Sequence, residues 1–264
     1  MSASLGNSRM SAPSRYQGRA GQPSGPCQPG FVVSGSAATA QNGREVSFLS
    51  EDSVHLKGTY WPPRQAGRSS VALIHDFGGS RNDWLPFVPF FRSRGWAILA
   101  FDLRGHGESV HQDLHPHDLV PEQADLRSPT AYPNDTKAAL AFIERQPHTE
   151  SGTIAAIGIG IGGDLAYAAA ARGWGTASTV LIGLDESRAR DLAGSGPFSP
   201  RNVYLMYADG DPVSAKSSEI MLRTAARPSE AFAYAGTTST GIALVREKSP
   251  ELLARAIAWI ERTL

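Results

Sequence analysis

Residues 154–171, IAAIGIGIGGDLAYAAAA, carry the spacing of a nucleophile elbow without the nucleophile. An apolar run reads as a buried strand to Ile159, Gly160 to Gly163 make a tight turn, and residues 164–171 form an alanine-rich helix. Strand, sharp turn and helix in that order hold a serine exposed above a sheet in the pattern G-x-S-x-G. Here the pattern is Gly158-Ile159-Gly160-Ile161-Gly162, and the serine position is Gly160. Glycine has no oxygen with which to accept an acyl group. It does adopt the strained backbone of such a turn without the steric penalty borne by a residue with a Cβ.

A second group of reactive types is His111, Asp113, His115, His117 and Asp118, in the polar, irregular segment 110–129. Imidazoles and carboxylates at this density suit zinc or another divalent cation. With no predicted helix or strand to fix them, the expectation is a solvated loop and no metal. His111, His115 and His117 are the ligands if a metal does bind. Hydroxyls at Ser80, Thr237, Thr238 and Ser239 are available to line a pocket, but without a base none is activated. Cys27 is the only cysteine, which excludes an intramolecular disulfide and a cysteine-based zinc site.

The elements that must position these residues follow from periodicity. Residues 45–49 and 54–61 read as an antiparallel pair of strands. Buried strands follow at 71–75, 96–101, 154–159, 179–184, 203–208 and 231–235, which makes eight. Helices are predicted at 84–94, 130–146, 164–171, 213–225 and 250–264, with at most a short one at 185–192 and a loop at 194–201. Strands alternating with helices imply a mainly parallel, doubly wound sheet in one domain, residues 43–264. Residues 1–42, rich in Ser, Gly, Pro, Ala and Gln, cannot bury enough apolar surface to offset their ordering entropy and are expected to be disordered. Formal net charge is zero over 264 residues, so neither a nucleic-acid nor a membrane-surface partner is expected, and no apolar run is long enough to span a bilayer. Lacking the apolar core of a secretory signal, the chain is expected to be cytoplasmic.

Four blocks, each after a predicted strand, resemble the α/β-hydrolases, near the serine esterase and dienelactone-hydrolase-like branch. They are His75-Asp76-Phe77-Gly78-Gly79, the run from Asp102 to Ser109, the elbow, and Asp209-Gly210-Asp211-Pro212-Val213. The resemblance covers roughly residue 45 to the C-terminus and implies the α/β-hydrolase fold, with about eight strands flanked by helices. It also implies a triad in the chain order serine, acid, histidine.

On that pattern Asp211 stands at the acid position; its plain alternative role is that of an Asp-Pro turn residue. Thr240 stands where the histidine would precede Gly241. His148 is the last histidine in the chain, so no shift of register supplies one. A threonine hydroxyl is neither general base nor general acid near neutral pH. The oxyanion donors implied by the resemblance are the backbone amides of Phe77 and Ile161, which side-chain loss does not delete. Asp76, where the family usually has glycine, opposes anionic ligands there. His75 and His106 are expected to be hydrogen-bonded turn histidines.

The expectation is a catalytically inactive pseudo-hydrolase without a cofactor. It would bind a small carbonyl-containing ligand or a protein partner through the old pocket. The alternative is an active carboxylic-ester hydrolase with relocated, metal-assisted chemistry at His111, His115 and His117. A third possibility is an interaction protein whose pocket is closed by Ile161 and Phe77.

Overall fold

The computed structural model describes residues 43–65, 69–113, 115–150 and 152–264. The expectations for residues 1–42 and Cys27 lie outside them. The described residues form a sheet in the order β1-β2-β4-β3-β6-β7-β8-β9, with β5 beside β2. The strands are β1 (Arg44–Leu49), β2 (Val54–Trp61), β3 (Ser70–Ile74), β4 (Ala97–Phe101), β5 (His111–Gln112), β6 (Ile154–Ile159), β7 (Thr176–Ile182), β8 (Val203–Ala208) and β9 (Ser229–Tyr234). β2 runs antiparallel to β1, β4 and β5, and the pairs from β4 through β9 are parallel.

The central strands are continuous apolar runs because both faces of the sheet are covered. β3, β4 and β6 are buried at every position, as expected for parallel strands between two helical layers. Their side chains divide with period two. Ala72 and Ile74 pack in one core with α2 (Tyr132–Glu144), α3 (Ile161–Arg172), α4 (Glu186–Ala193) and α5 (Pro212–Thr224). Val71 and Leu73 pack in the other, with α1 (Val88–Arg92), α6 (Gly241–Lys248) and α7 (Glu251–Thr263).

The mainly parallel, doubly wound architecture stands as expected, with three local corrections. The described residues form nine strands where about eight are expected, because two residues of the polar segment, His111 and Gln112, pair with β2. The helix expected at 84–94 is a 3-10 turn over Arg81–Phe87 followed by α1, divided around Pro86 and Pro89. α6 was not anticipated, since of its eight residues only Gly241, Leu244 and Val245 are buried.

Candidate active site

β6 delivers the elbow at the middle of the sheet, between β3 and β7. Gly160 has φ 54° and ψ −122°, a conformation strongly disfavoured for a residue with a Cβ. The flanking glycines are required by close approach. A Cβ on Gly158 would lie 1.9 Å from the carbonyl oxygen of Gly162, and one on Gly162 would lie 2.4 Å from that of Ile74. The turn is therefore built as an elbow even though it presents no side chain.

The space above Gly160 belongs to Asp76, the second residue after β3. Its Oδ1 accepts hydrogen bonds from the amides of Phe77 (2.8 Å) and Ile161 (3.0 Å). Those are the two amides expected to form an oxyanion hole. A Cβ built on Gly160 would fall 1.9 Å from the same oxygen. Oδ2 faces the loop of the missing histidine, 2.9 Å from where a Cβ on Gly241 would be. Ile161 is the first residue of α3 and Gly160 contributes no side-chain cap, so the carboxylate also supplies the acceptor and the negative charge that this helix terminus favours.

The loop that carries Asp76 is clamped. His75 is fully buried and accepts at Nε2 from the amide of Leu103 (3.0 Å), leaving Nδ1 to donate to the carbonyl of Asp76 (2.7 Å). Burial pushes its pKa down to about 4 against the pull of that hydrogen bond, so the ring is neutral. His106 accepts at Nε2 from the amide of Gly78 (3.0 Å) and donates at Nδ1 to the carbonyl of Arg104 (2.9 Å). Asp102, buried, accepts from the amides of Arg81 (2.7 Å) and Glu108 (3.0 Å) and is paired with the Arg81 guanidinium. The histidines of the first two sequence blocks thus hold loops in place.

Residues 65–183 match the family model "Serine aminopeptidase, S33". The chain is 26% identical over 136 residues to the uncharacterized protein YfhR of Salmonella typhi, covering 50% of this chain and 41% of that one. It is 25% identical over 203 residues to a monoacylglycerol lipase of Mycolicibacterium smegmatis, covering 75% of this chain and 68% of the lipase. The match thus spans less than half of the YfhR protein. Its structure resembles the Pyrococcus furiosus esterase Pf2001 with a TM-score of 0.66 at 16% identity, covering 89% of this chain and 99% of the esterase. The chain has the α/β-hydrolase fold.

Within this fold the other two triad positions are a helix cap and an exposed threonine. Asp211 is the N-cap of α5, its Oδ1 accepting from the amides of Val213 and Ser214 (both 3.1 Å). Thr240 is exposed at the N-terminus of α6 and makes no side-chain cap. The loop before it is fastened by Glu247, which accepts from Thr237 Oγ1 (2.7 Å) and Ser239 Oγ (2.5 Å). The Ser239 hydroxyl, then Lys248 and Thr237, hold the Glu247 carboxyl down at about 2. Gly210 donates to the carbonyl of Thr237 (3.1 Å), joining this loop to the one that carries Asp211. The hydroxyls of Thr237 and Ser239 are engaged there.

Phe77 is 40% exposed and Ile161 is 1% exposed in the core. The element that fills the site is the Asp76 carboxylate rather than either of those side chains, a role that the sequence pattern alone does not assign. Its signal was present as two departures from the pattern, Asp76 for glycine and Gly160 for serine.

The polar segment is also rearranged relative to expectation. His111 and Asp113 gather with His55, whereas the Nδ1 of His115 bonds to the carbonyl of His117 (2.7 Å). Three strand spacings, β2 to β4 to β3 to β6, separate this group's sheet position from the elbow, roughly 14 Å. That is too far for a metal there to act on an ester held at Gly160. No helix among the described residues is long and apolar enough to cross a membrane.

Proposed function

We propose that this α/β-hydrolase-fold protein is a pseudo-hydrolase, without acyl-transfer activity at the elbow, that works by binding. The observation that supports this most is the Asp76 carboxylate, bound by both would-be oxyanion amides and overlapping the place of a side chain at position 160. An ester oxygen developing negative charge in that hole would meet a carboxylate oxygen about 3 Å away. At an effective dielectric near 20 the repulsion is about 5 kcal/mol. One oxyanion donor contributes ~3–4 kcal/mol, so the occupied hole opposes the transition state more than a donor favours it. Asp76 does not replace the serine as nucleophile, because the oxygen nearest Gly160 is the one held by both amides. Nor does a histidine beyond His148 exist to deprotonate a water.

The same geometry bears on what is bound. A small carbonyl-containing ligand using the amides of Phe77 and Ile161 must first displace Asp76. A protein partner that meets the surface around the exposed Phe77 need not, and the filled hole favours that occupant. Hydrolysis of p-nitrophenyl acetate by the unmodified protein tests the catalytic half of the proposal. The expected rate equals that of heat-denatured protein; a saturable rate lost on denaturation would overturn it.

A further inference from the structure

We infer that His55, His111 and Asp113 form a surface site for a divalent transition-metal ion of the zinc type. The site lies on the short β5 pairing that periodicity did not show. His55 and His111 are direct cross-strand partners in the antiparallel β2–β5 pair, which brings their Cβ atoms to about 5 Å on one face. Their ring centroids are 4.8 Å apart. Asp113, the next residue but one along the chain from His111, places Oδ1 2.8 Å from His55 Nε2 and 3.8 Å from His111 Nε2. The three ligand atoms lie within 4.8 Å of one another.

Metal geometry fits these spacings. Zinc–nitrogen and zinc–carboxylate bonds of about 2.0–2.2 Å at tetrahedral angles put ligand atoms about 3.3–3.4 Å apart. The Asp113 contacts, at 2.8 and 3.8 Å, straddle that value, so modest side-chain rotations bring all three into a first coordination sphere. Two imidazoles with one carboxylate are a donor set for zinc, copper(II) or nickel(II) rather than magnesium or calcium. On binding, Nε2 of His55 gives up its hydrogen bond to Asp113 and its ring proton resides on Nδ1.

The frame is held independently of any metal. The amide of Asp113 donates to the carbonyl of Ser53 (3.0 Å), and the Gln112 side chain donates to the carbonyl of Asp52 (2.8 Å). Asp52 in turn receives two hydrogen bonds from Arg104 (2.6 and 2.9 Å), whose guanidinium is anchored on the fully buried Asp135 (2.7 Å). The backbone around two of the three ligands is thus tied to the core, while side-chain exposures of 33%, 61% and 50% for His55, His111 and Asp113 leave coordination positions open to water. Lying three strands from the elbow, the site is independent of whether Gly160 carries any chemistry.

The test is calorimetric titration of zinc chloride into the full chain, stripped of metal and expressed without a histidine tag. One zinc ion per chain is expected to bind saturably, at least ~10-fold more weakly in His55→Ala and in His111→Ala, and unchanged in His115→Ala and His117→Ala. Copper(II) electron paramagnetic resonance gives a second readout, with nitrogen couplings from two imidazoles in the wild type and one in His111→Ala. His111 is the most exposed of the three, so its variant folds. Non-saturable zinc uptake would overturn the inference, as would stoichiometric binding that survives His55→Ala combined with His111→Ala, or binding lost instead with His115 or His117.

Discussion

Asp76 and Gly160, 84 positions apart in the chain, share one volume: a Cβ on Gly160 would lie 1.9 Å from Oδ1 and 2.3 Å from Oδ2 of Asp76. The absent side chain and the present carboxylate are two halves of a single arrangement. Glycine leaves the turn unstrained and the space vacant, and aspartate fills it while satisfying the Phe77 and Ile161 amides. An elbow of this shape has room for one of the two groups.

The first prediction is a stability coupling. Gly160→Ser alone places a Cβ in a backbone conformation that costs of order 1–3 kcal/mol and drives it into Asp76. Asp76→Gly alone removes the acceptor of two amides, at a cost of about 1–2 kcal/mol. The double variant relieves the clash, so it should be more stable than the sum of the single losses by at least ~1 kcal/mol, as contacting residues permit. Urea denaturation of all four proteins measures the cycle, and additivity would mean the two positions do not compete for space.

Activity should follow the same logic. Gly160→Ser with Thr240→His restores two triad positions but keeps the Asp76 carboxylate beside the hole, where it competes for the amides and repels the developing oxyanion, so no saturable p-nitrophenyl acetate hydrolysis is expected. Adding Asp76→Gly clears the hole and should raise turnover measurably above the double variant, because both oxyanion amides are then free to stabilise the transition state. Equal rates with and without the Asp76 change would show that the carboxylate swings aside.

Stability in acid should depend on His75. Its folded pKa of about 4, set by burial, lies below the unfolded value of about 6.5. As pH falls through 6.5 the unfolded chain takes up the proton first, and the contribution, complete above that pH, is lost toward pH 4. The loss is on the order of 3 kcal/mol across this window. Asp164, raised to about 7, and Asp135, raised to about 6, both by burial against the pull of arginine partners, run the other way, since their folded forms keep a proton longer than the unfolded chain does. His75→Gln keeps an acceptor for Leu103 and removes the titration. Its urea midpoint should therefore fall less between pH 6.5 and 4 than that of the wild type; parallel curves would contradict the assignment.

The sheet was legible in the sequence because its central strands are buried on both faces and read as uninterrupted apolar runs, as with β3, β4 and β6. The elbow was legible because Gly158 and Gly162 are each required by a backbone oxygen within 2.4 Å of the missing Cβ. What escaped was contact across sequence. Asp76 reaches Gly160 only because β3 and β6 are neighbours, and His55 meets His111 only through a two-residue strand too short to show periodicity. α6 escaped because its buried positions are too few to make an apolar stripe.

The last prediction concerns the donors that Asp76 conceals. If its carboxylate is an internal ligand for the amides of Phe77 and Ile161, deleting it should leave an anion site at the N-terminus of α3, where backbone N–H groups and the helix dipole converge. Asp76→Gly should then be stabilised by acetate at constant ionic strength while the wild type is not, because in the wild type the hole already holds a carboxylate. At acetate about tenfold above its dissociation constant the gain is about 1.4 kcal/mol, readable as a rise in Tm relative to chloride. Asp76→Asn, which keeps an acceptor oxygen in the hole, should respond little. An acetate effect of equal size in all three proteins would locate the anion elsewhere, and no effect in Asp76→Gly would mean that the two amides turn away once their acceptor is removed.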